Sequence, residues 1–333
     1  MPANIGRMFY YGEIPWHGQG KKLEHPATLE EALLYGDLDW EVKLVELHTT
    51  EGQSVPMRRA VVRLEGKDSP HCGNSRLVLG VVHPEFKPLQ NRQGVETFDA
   101  IFGRGARVYH TGGYLGEGEV VWLLARLPAD LTLAGSDIIE PYVLYSNSHN
   151  GSRAIDFRLT AVRVVCQNTL NLALHTGDRA KVFKRNHNGS YNRLQEEFNL
   201  FFQFTIDALQ IAQGRFERLS QARCAPDAFR QFVEAIFKLP QQPANPNPAV
   251  QRAYQTRKEQ MLTSRQEVEK RWNKENDDGL ITVRGTWWGA LNAVTAHVDH
   301  DLAPEQDSLA YTVFGPGNDL KNEAYDLAVA SMA

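Results

Sequence analysis

The stretch from Pro141 to Thr176, PYVLYSNSHNGSRAIDFRLTAVRVVCQNTLNLALHT, constrains the fold more than any other part of the chain. An apolar run from Tyr142 to Tyr145 enters a polar turn that holds Asn150-Gly151. Asn-Gly between two strand-like runs is a strong hairpin signal, because both residues tolerate the positive φ such a turn requires. The run after the turn alternates: Ile155, Phe157, Leu159 and Ala161 fall on one face, and Asp156, Arg158 and Thr160 on the other. Past Val164-Val165 the period lengthens. Leu170, Leu172, Ala173 and Leu174 suit a short helix that stops near Gly177. The expectation is a hairpin followed by a helix, with Cys166, Gln167, Asn168 and Thr169 at the junction.

Arg163 shares its predicted face with Ile155, Phe157 and Leu159. A charge on an apolar face is costly unless it is paired or meets an anion. Two readings stand: a strand end where the arginine reaches solvent, or an anion contact at the start of the following helix. Charge is unevenly spread around it. Between Asn147 and Arg193 there are six Arg and two Lys against two Asp and no Glu, a net +6 in a chain whose total is −4. A basic segment in an otherwise acidic protein is either a solvated loop or an anion-binding face.

The 333 residues suffice for two domains, or for one large domain with a helical annex. Hydrophobic (42%) and charged (23%) fractions are those of an ordinary folded protein. Cys72, Cys166 and Cys224 are odd in number and far apart, with no CxxC spacing, which fits a reducing compartment without a disulfide framework. No apolar h-region marks a signal peptide at the N-terminus. No run approaches the ~18 apolar residues of a membrane span, so no membrane partner is expected.

Residues 1–26 read as an ordered arm that packs Phe9, Tyr10, Tyr11 and Trp16 among glycines and prolines. Thr28 and Glu31 form a capping box, and Gly36 closes that short helix. WEVKLVEL, RRAVVRLE and RLVLGVV read as strands within 40–65 and 76–90. Thr97 to Phe102 belongs to a helix, and 107–127 is a second hairpin with a glycine-rich centre. Those glycines lack the GxxxxGK[ST] pattern and precede no helix, so no nucleotide hydrolysis and no cofactor are expected.

The second half is helical by pattern. Leu194, Phe198, Phe201, Phe202, Thr205, Leu209 and Ala212 recur at three- and four-residue spacing within 191–238, a stripe for the core or for a subunit interface. LPQQPANPNPAV (239–250) is a linker, and a charged helix over roughly 250–275 follows it. In GTWWGALNAVTAHVDHDL, Trp288, Leu291, Thr295 and Val298 share one side of a helix. His297 and Asp301, four apart with His300 nearby, are spaced for a metal, though a solvated helix end accounts for them and no metal is expected. The predicted fold class is therefore α+β. A mainly antiparallel sheet occupies the N-terminal half (an α+β unit over 1–190), and a helical C-terminal half spans 191–333.

The chain resembles the phage/plasmid-like protein family, a conserved domain of unknown function carried on phages, prophages and plasmids. The pieces that carry the resemblance are IGRMFYYGEIPWHGQG (5–20), VLGVVHPEFKPLQN (78–91), YSNSHNGS (145–152), VRVVCQNTLNLAL (162–174), and WWGALNAVTAHVDH with VFGPG and the lysine after it (287–300, 313–321). The family commonly has Asp where this chain has Asn150. The resemblance implies a bacterial cytoplasm and a mobile element, and no established activity.

Three functions follow as expectations. The first is a non-catalytic binder of single-stranded nucleic acid, annealing-like and oligomeric. Arg153, Arg158, Arg163, Arg179, Lys181, Lys184 and Arg185 would contact phosphates, and Tyr145 and Tyr191 would stack on bases. The second is an enzyme for an anionic substrate, built from His149, Asn150, Arg153, Asp156, Arg163, Cys166 and Asn168. Cys166 would be the nucleophile at a helix start and His149 its base. The third is an inhibitor directed at a host defence protein, with the aromatic arm and the charged helix as contact surfaces.

Overall fold

The computed structural model of the chain describes residues 4–12, 19–64, 77–128, 131–133, 137–163, 169–171, 183–189, 191–244, 247–273, 283–304, 311–312 and 315–332. In chain order the first half gives β1 (Ile5–Tyr11), β2 (Lys21–Leu23), α1 (Leu29–Tyr35), β3 (Glu41–His48), β4 (Ser54–Leu64), β5 (Leu77–Val82) and α2 (Asn91–Asp99). It continues with β6 (Tyr109–Leu115), β7 (Val120–Arg126), β8 (Leu131–Leu133), β9 (Asp137–Ser148), β10 (Ile155–Arg163), β11 (Thr169–Asn171) and β12 (Phe183–Arg185). Helices α3 (Leu194–Gln221), α4 (Pro226–Ile236), α5 (Pro248–Asn273), α6 (Trp287–His297) and α7 (Pro316–Ala330) make up the second half. The chain is α+β, with strands in the N-terminal half and helices mostly in the C-terminal half.

The alternation around Asn150-Gly151 becomes the spine of the larger sheet. β9 and β10 run antiparallel, with Ser146 opposite Asp156 and Ile139 opposite Arg163. The strand order is β11-β10-β9-β7-β6-β1-β2, with β12 also on β10 and β8 also on β9. Every pair in it is antiparallel except β1 with β2. The predicted hairpin over 107–127 is β6 and β7, joined by a turn that uses Gly116 and Gly118 at positive φ. β3, β4 and β5 form a separate three-stranded sheet. Its β3–β4 register shifts between Glu46 and His48, opposite the stretch of β4 where Met57 sits at φ +56°.

Two expectations change here. The residues read as an aromatic arm form β1, a strand inside the sheet between β6 and β2, with Phe9 and Tyr10 buried. Trp16 lies outside the described residues. The helix expected over 170–174 is not present at its start: Thr169–Asn171 is strand β11, paired with Thr160–Val162 of β10. Leu170 meets a sheet edge, and tertiary pairing outweighs a weak local helical period. The junction residues Cys166, Gln167 and Asn168 lie outside the described residues.

The sheet is apolar on both faces. On one face Phe9, Tyr109, Leu123, Tyr145 and Phe157 join the main core beneath α2 and α3. Phe157 packs on Phe198 of α3, with ring centroids 3.6 Å apart, and Tyr145 stacks on Phe98 of α2 at 5.7 Å. Burying each such ring contributes about 1.5–3 kcal/mol. The other face carries a smaller cluster of Ile5, Met8, Tyr10, Leu115, Val120, Trp122 and Leu144. Asp156, Arg158 and Thr160, expected on a polar face, are therefore buried too.

Of the stripe on α3, Leu194, Phe198 and Phe202 pack into the core, and the side chains of Phe201, Thr205, Leu209 and Ala212 lie outside the described residues. Phe198 meets Phe157, Phe202 meets Phe102 at 5.0 Å, and Phe216 meets Trp288 at 4.9 Å. α1 carries the predicted capping box, with the Thr28 N–H donating to Glu31 (2.9 Å) and the Glu31 N–H donating to Thr28 Oγ1 (3.3 Å). α6 is buried on all sides, as an all-round apolar helix must be. It continues into a π-helical turn over Val298–Leu302. His297 does not sit at a solvated helix end: it is buried, with Nδ1 2.8 Å from Asp301, whose carboxylate also takes two hydrogen bonds from Arg271 (2.8 and 3.1 Å). Beside it Lys321 donates to Asp299 at 2.6 Å in a fully buried pair.

Candidate functional site

Between β9 and β10 the chain reverses around Asn150. Its Oδ1 accepts from the Ser148 hydroxyl (2.8 Å) and the Ser152 N–H (3.0 Å), and Gly151 follows at φ +74°. β5 lies directly against this turn. A Cβ on Gly80 would stand 2.7 Å from Cα of Asn150, so glycine permits the approach. The residues after β5 (His83, Glu85, Phe86), the turn after β12 (Asn186, His187, Asn188), Arg58 of β4, and Asn150, Ser152 and Arg153 enclose a cleft of ≈620 Å³.

Phe86 and His187 stack within this cleft wall, with centroids 4.6 Å apart and ring planes 29° apart. Two guanidinium groups, Arg58 and Arg153, and three side-chain amides line it with them, against one carboxylate, Glu85. Burial and the nearby Arg158 charge lower the pKa of Arg153. Burial also lowers that of His187, against a hydrogen bond with the Lys87 carbonyl, so its ring is neutral near pH 7.

Behind the cleft, strand alternation turns Tyr145, Asn147 and His149 toward the segment that leads into α2. Asn147 donates from Nδ2 to the Leu89 carbonyl (3.0 Å), and His149 bonds through Nε2 to Asn91 Oδ1 (2.7 Å). The His149 ring leans on Trp40 at 5.2 Å. Burial first, then the charges of His187 and Arg63, push the His149 pKa down to about 3. Arg63 itself packs over the Trp40 and Tyr114 rings and bonds to Asp37 (3.1 Å) and the Glu117 carbonyl (2.8 Å).

The residues expected to contact nucleic acid are dispersed. Arg153 lines the cleft, and Lys184 is exposed on neighbouring β12. Arg185 bonds to Glu197 of α3 at 2.9 Å. Arg158 is buried and paired with Asp156, its Nε 3.0 Å from Oδ1, so its charge is spent inside the protein. Tyr145 offers no ring face for stacking, because it is fully buried between Phe98 and Phe157. Tyr191 is half-buried, its hydroxyl held by the Lys87 carbonyl and by His187. The Arg163 side chain, Arg179 and Lys181 lie outside the described residues.

Of the enzyme constellation, Asn150 and Arg153 line the cleft. His149 is buried and held neutral, so it meets no substrate as a base, and Cys166 and Asn168 lie outside the described residues. Cys224 is a buried thiol pushed up to about 11 by burial, the inert form of the side chain. Among the described residues no three His, Cys, Asp or Glu side chains group as metal ligands. No helix among them is long and apolar enough to cross a membrane.

Sequence reasoning passed over Arg58, His83, Phe86 and the Asn186–Asn188 turn. A signal was present. His149-Asn150-Gly151-Ser152 repeats as His187-Asn188-Gly189-Ser190, and the structure sets these two HNG turns on the same cleft.

Residues 78–312 match the family model described as "Domain of unknown function (DUF932)". The chain belongs to the DUF932 family. Both HNG turns, the His83–Phe86 segment and α6 fall inside the DUF932 match, while Arg58 precedes it. A second cleft of ≈720 Å³, between β1, β2 and α1, is lined by Ile5–Met8, Gln19–Lys21, Leu34 and Tyr35, all outside that match. No curated protein and no solved structure matches the chain.

Proposed function

We propose that this DUF932 protein binds single-stranded nucleic acid without catalysis, in an annealing-like role in phage or plasmid DNA metabolism inside a bacterial cytoplasm, and that the HNG cleft holds the strand. The observation that carries this reading is the pairing of Arg58 and Arg153 with the Phe86–His187 stack in one cleft. A strand offers phosphates at regular spacing and a π-face at every base, and a groove with guanidinium groups beside an aromatic platform answers both. Exposed Lys87 and Lys184 next to the cleft extend the positive track. The amides of Asn186 and Asn188 stand where base edges would reach them. The phosphate-contact set becomes Arg58, Arg153, Lys87 and Lys184, in place of Arg158.

The test is fluorescence anisotropy with a labelled single strand at low and moderate salt, with duplex as the control. Salt-sensitive binding that prefers the single strand supports the reading. Absence of binding at low salt overturns it.

A protein-directed role against a host defence system is favoured by a different observation. Met57, Val78 and Val81 on the three-stranded sheet are 58%, 59% and 51% exposed, an apolar set suited to a protein partner. Recovery of one host protein at fixed stoichiometry, abolished in a Val78→Lys, Val81→Lys variant, would support that role.

A further inference from the structure

The chain contains two Asn-Gly dipeptides, and they sit in identical tetrapeptides, His149-Asn150-Gly151-Ser152 and His187-Asn188-Gly189-Ser190. Both asparagines line the cleft. Asn-Gly exposes a side-chain amide to attack by the next backbone nitrogen, because glycine has no Cβ to shield that nitrogen. The local sequence is the same at both turns, so a difference in their reactivity comes from the fold.

The fold treats the two asparagines differently. Oδ1 of Asn150 accepts from the Ser148 hydroxyl (2.8 Å) and from the Ser152 N–H (3.0 Å). Two donors on one carbonyl oxygen make its carbon more electrophilic. They already stand where negative charge gathers when that carbon is attacked. Among the described residues nothing holds Nδ2, the atom that must leave. Gly151 is exposed, at φ +74°, within reach of solvent base. Asn188 is exposed too, but its Oδ1 accepts no hydrogen bond among the described residues.

We infer that Asn150 deamidates on its own and that the carboxylate it becomes loosens the hold of the cleft on phosphates. Hydroxide takes the Gly151 N–H proton, and that nitrogen bonds to Cγ of Asn150. The Cγ–Nδ2 bond breaks, and Nδ2 leaves as ammonia with its third hydrogen supplied by water. One water then opens the five-membered imide at either carbonyl, leaving aspartate or isoaspartate at position 150. Nothing is oxidised or reduced. The Ser148 and Ser152 donors hold a carboxylate more strongly than an amide, so the turn survives where aspartate forms. Isoaspartate lengthens the backbone beside Gly80, where a Cβ would already stand 2.7 Å from Cα of Asn150. Either product sets a second carboxylate beside Glu85, against Arg58 and Arg153. The loss of affinity rests on the strand-binding reading of the cleft; the modification does not.

The test keeps the full chain in warm, mildly alkaline buffer and follows each asparagine by peptide mapping and mass spectrometry, both folded and in urea. In urea the two identical tetrapeptides should convert at equal rates. In the folded chain Asn150 should convert faster than Asn188, in proportion to hydroxide, and give isoaspartate as well as aspartate. Ser148→Ala should slow Asn150 by about two- to tenfold, the worth of one hydrogen bond, and leave Asn188 unchanged. Equal or slower conversion of Asn150 in the folded chain, or aspartate alone, would overturn the modification. Asn150→Asp should bind a labelled single strand about fivefold more weakly than wild type at low salt. Equal binding by the two would overturn the effect on the cleft. No binding by wild type would sink the strand reading and that effect with it, while the conversion rates still decide the modification.

Discussion

His149 reaches Asn91 at 2.7 Å across 58 residues of sequence, and this one hydrogen bond joins the β9–β10 turn to the start of α2. Both residues are buried, so neither has water as an alternative partner. Asn91→Ala should therefore lower stability by about 1–3 kcal/mol, the cost of an unmet buried donor. Urea unfolding followed by tryptophan fluorescence measures it. An unchanged midpoint would mean that His149 finds another partner.

Gly94 is fixed by Tyr145. A Cβ at position 94 would stand 1.9 Å from the Tyr145 hydroxyl, and that ring is held between Phe98 and Phe157. Gly94→Ala should destabilise by about 1–3 kcal/mol through overpacking. Adding Tyr145→Phe removes the closest atom and should recover part of that loss. Additive losses in the double variant would show that the clash lies elsewhere.

The Asp156–Arg158 pair should matter to folding rather than to strand binding. Both side chains are buried, so Arg158→Ala leaves an uncompensated carboxylate and should cost about 3–5 kcal/mol. Chemical denaturation reads the loss. The salt dependence of strand binding, measured on whatever fraction remains folded, should match wild type. A stable variant with a flatter salt slope would return Arg158 to the binding face.

Hairpins, the capping box, the two helices before the 239–250 linker and the buried side of β10 were legible because each is written in a local period or a cap. Strand β11 (Thr169–Asn171) was not, because Leu170 obeys its pairing with Ala161 and not the local helical period. Arg158 misled for a similar reason. Alternation tells which face a residue takes, and here both faces are covered. The cleft was the least legible feature, since Arg58, Phe86, Asn150 and His187 come from four separate segments. Only the repeated HNG hinted that two of those segments belong together.

Stability should fall in mild acid in a way that depends on His110. Burial first, and the Arg126 charge second, hold its pKa near 4 against an ordinary 6.5. As pH falls the unfolded chain takes up this proton before the folded one does. The contribution is therefore complete above about 6.5 and is lost between 6.5 and about 4, at up to about 1.4 kcal/mol per unit. His110→Gln should flatten unfolding free energy against pH across that window. An identical slope in the variant would place the acid sensitivity in other groups.

Binding of a labelled single strand across a salt series, by wild type and by the Arg58→Ala, Arg153→Ala variant, addresses the central claim most directly. Both positions line the cleft wall and neither is fully buried, so the fold should survive, and circular dichroism checks that it does. The cleft reading predicts weaker binding to all sequences alike and a log–log salt slope smaller by about 0.7 for each phosphate that the variant no longer neutralises. Wild-type binding with an unchanged slope in the folded variant, or no binding by wild type at low salt, would contradict it.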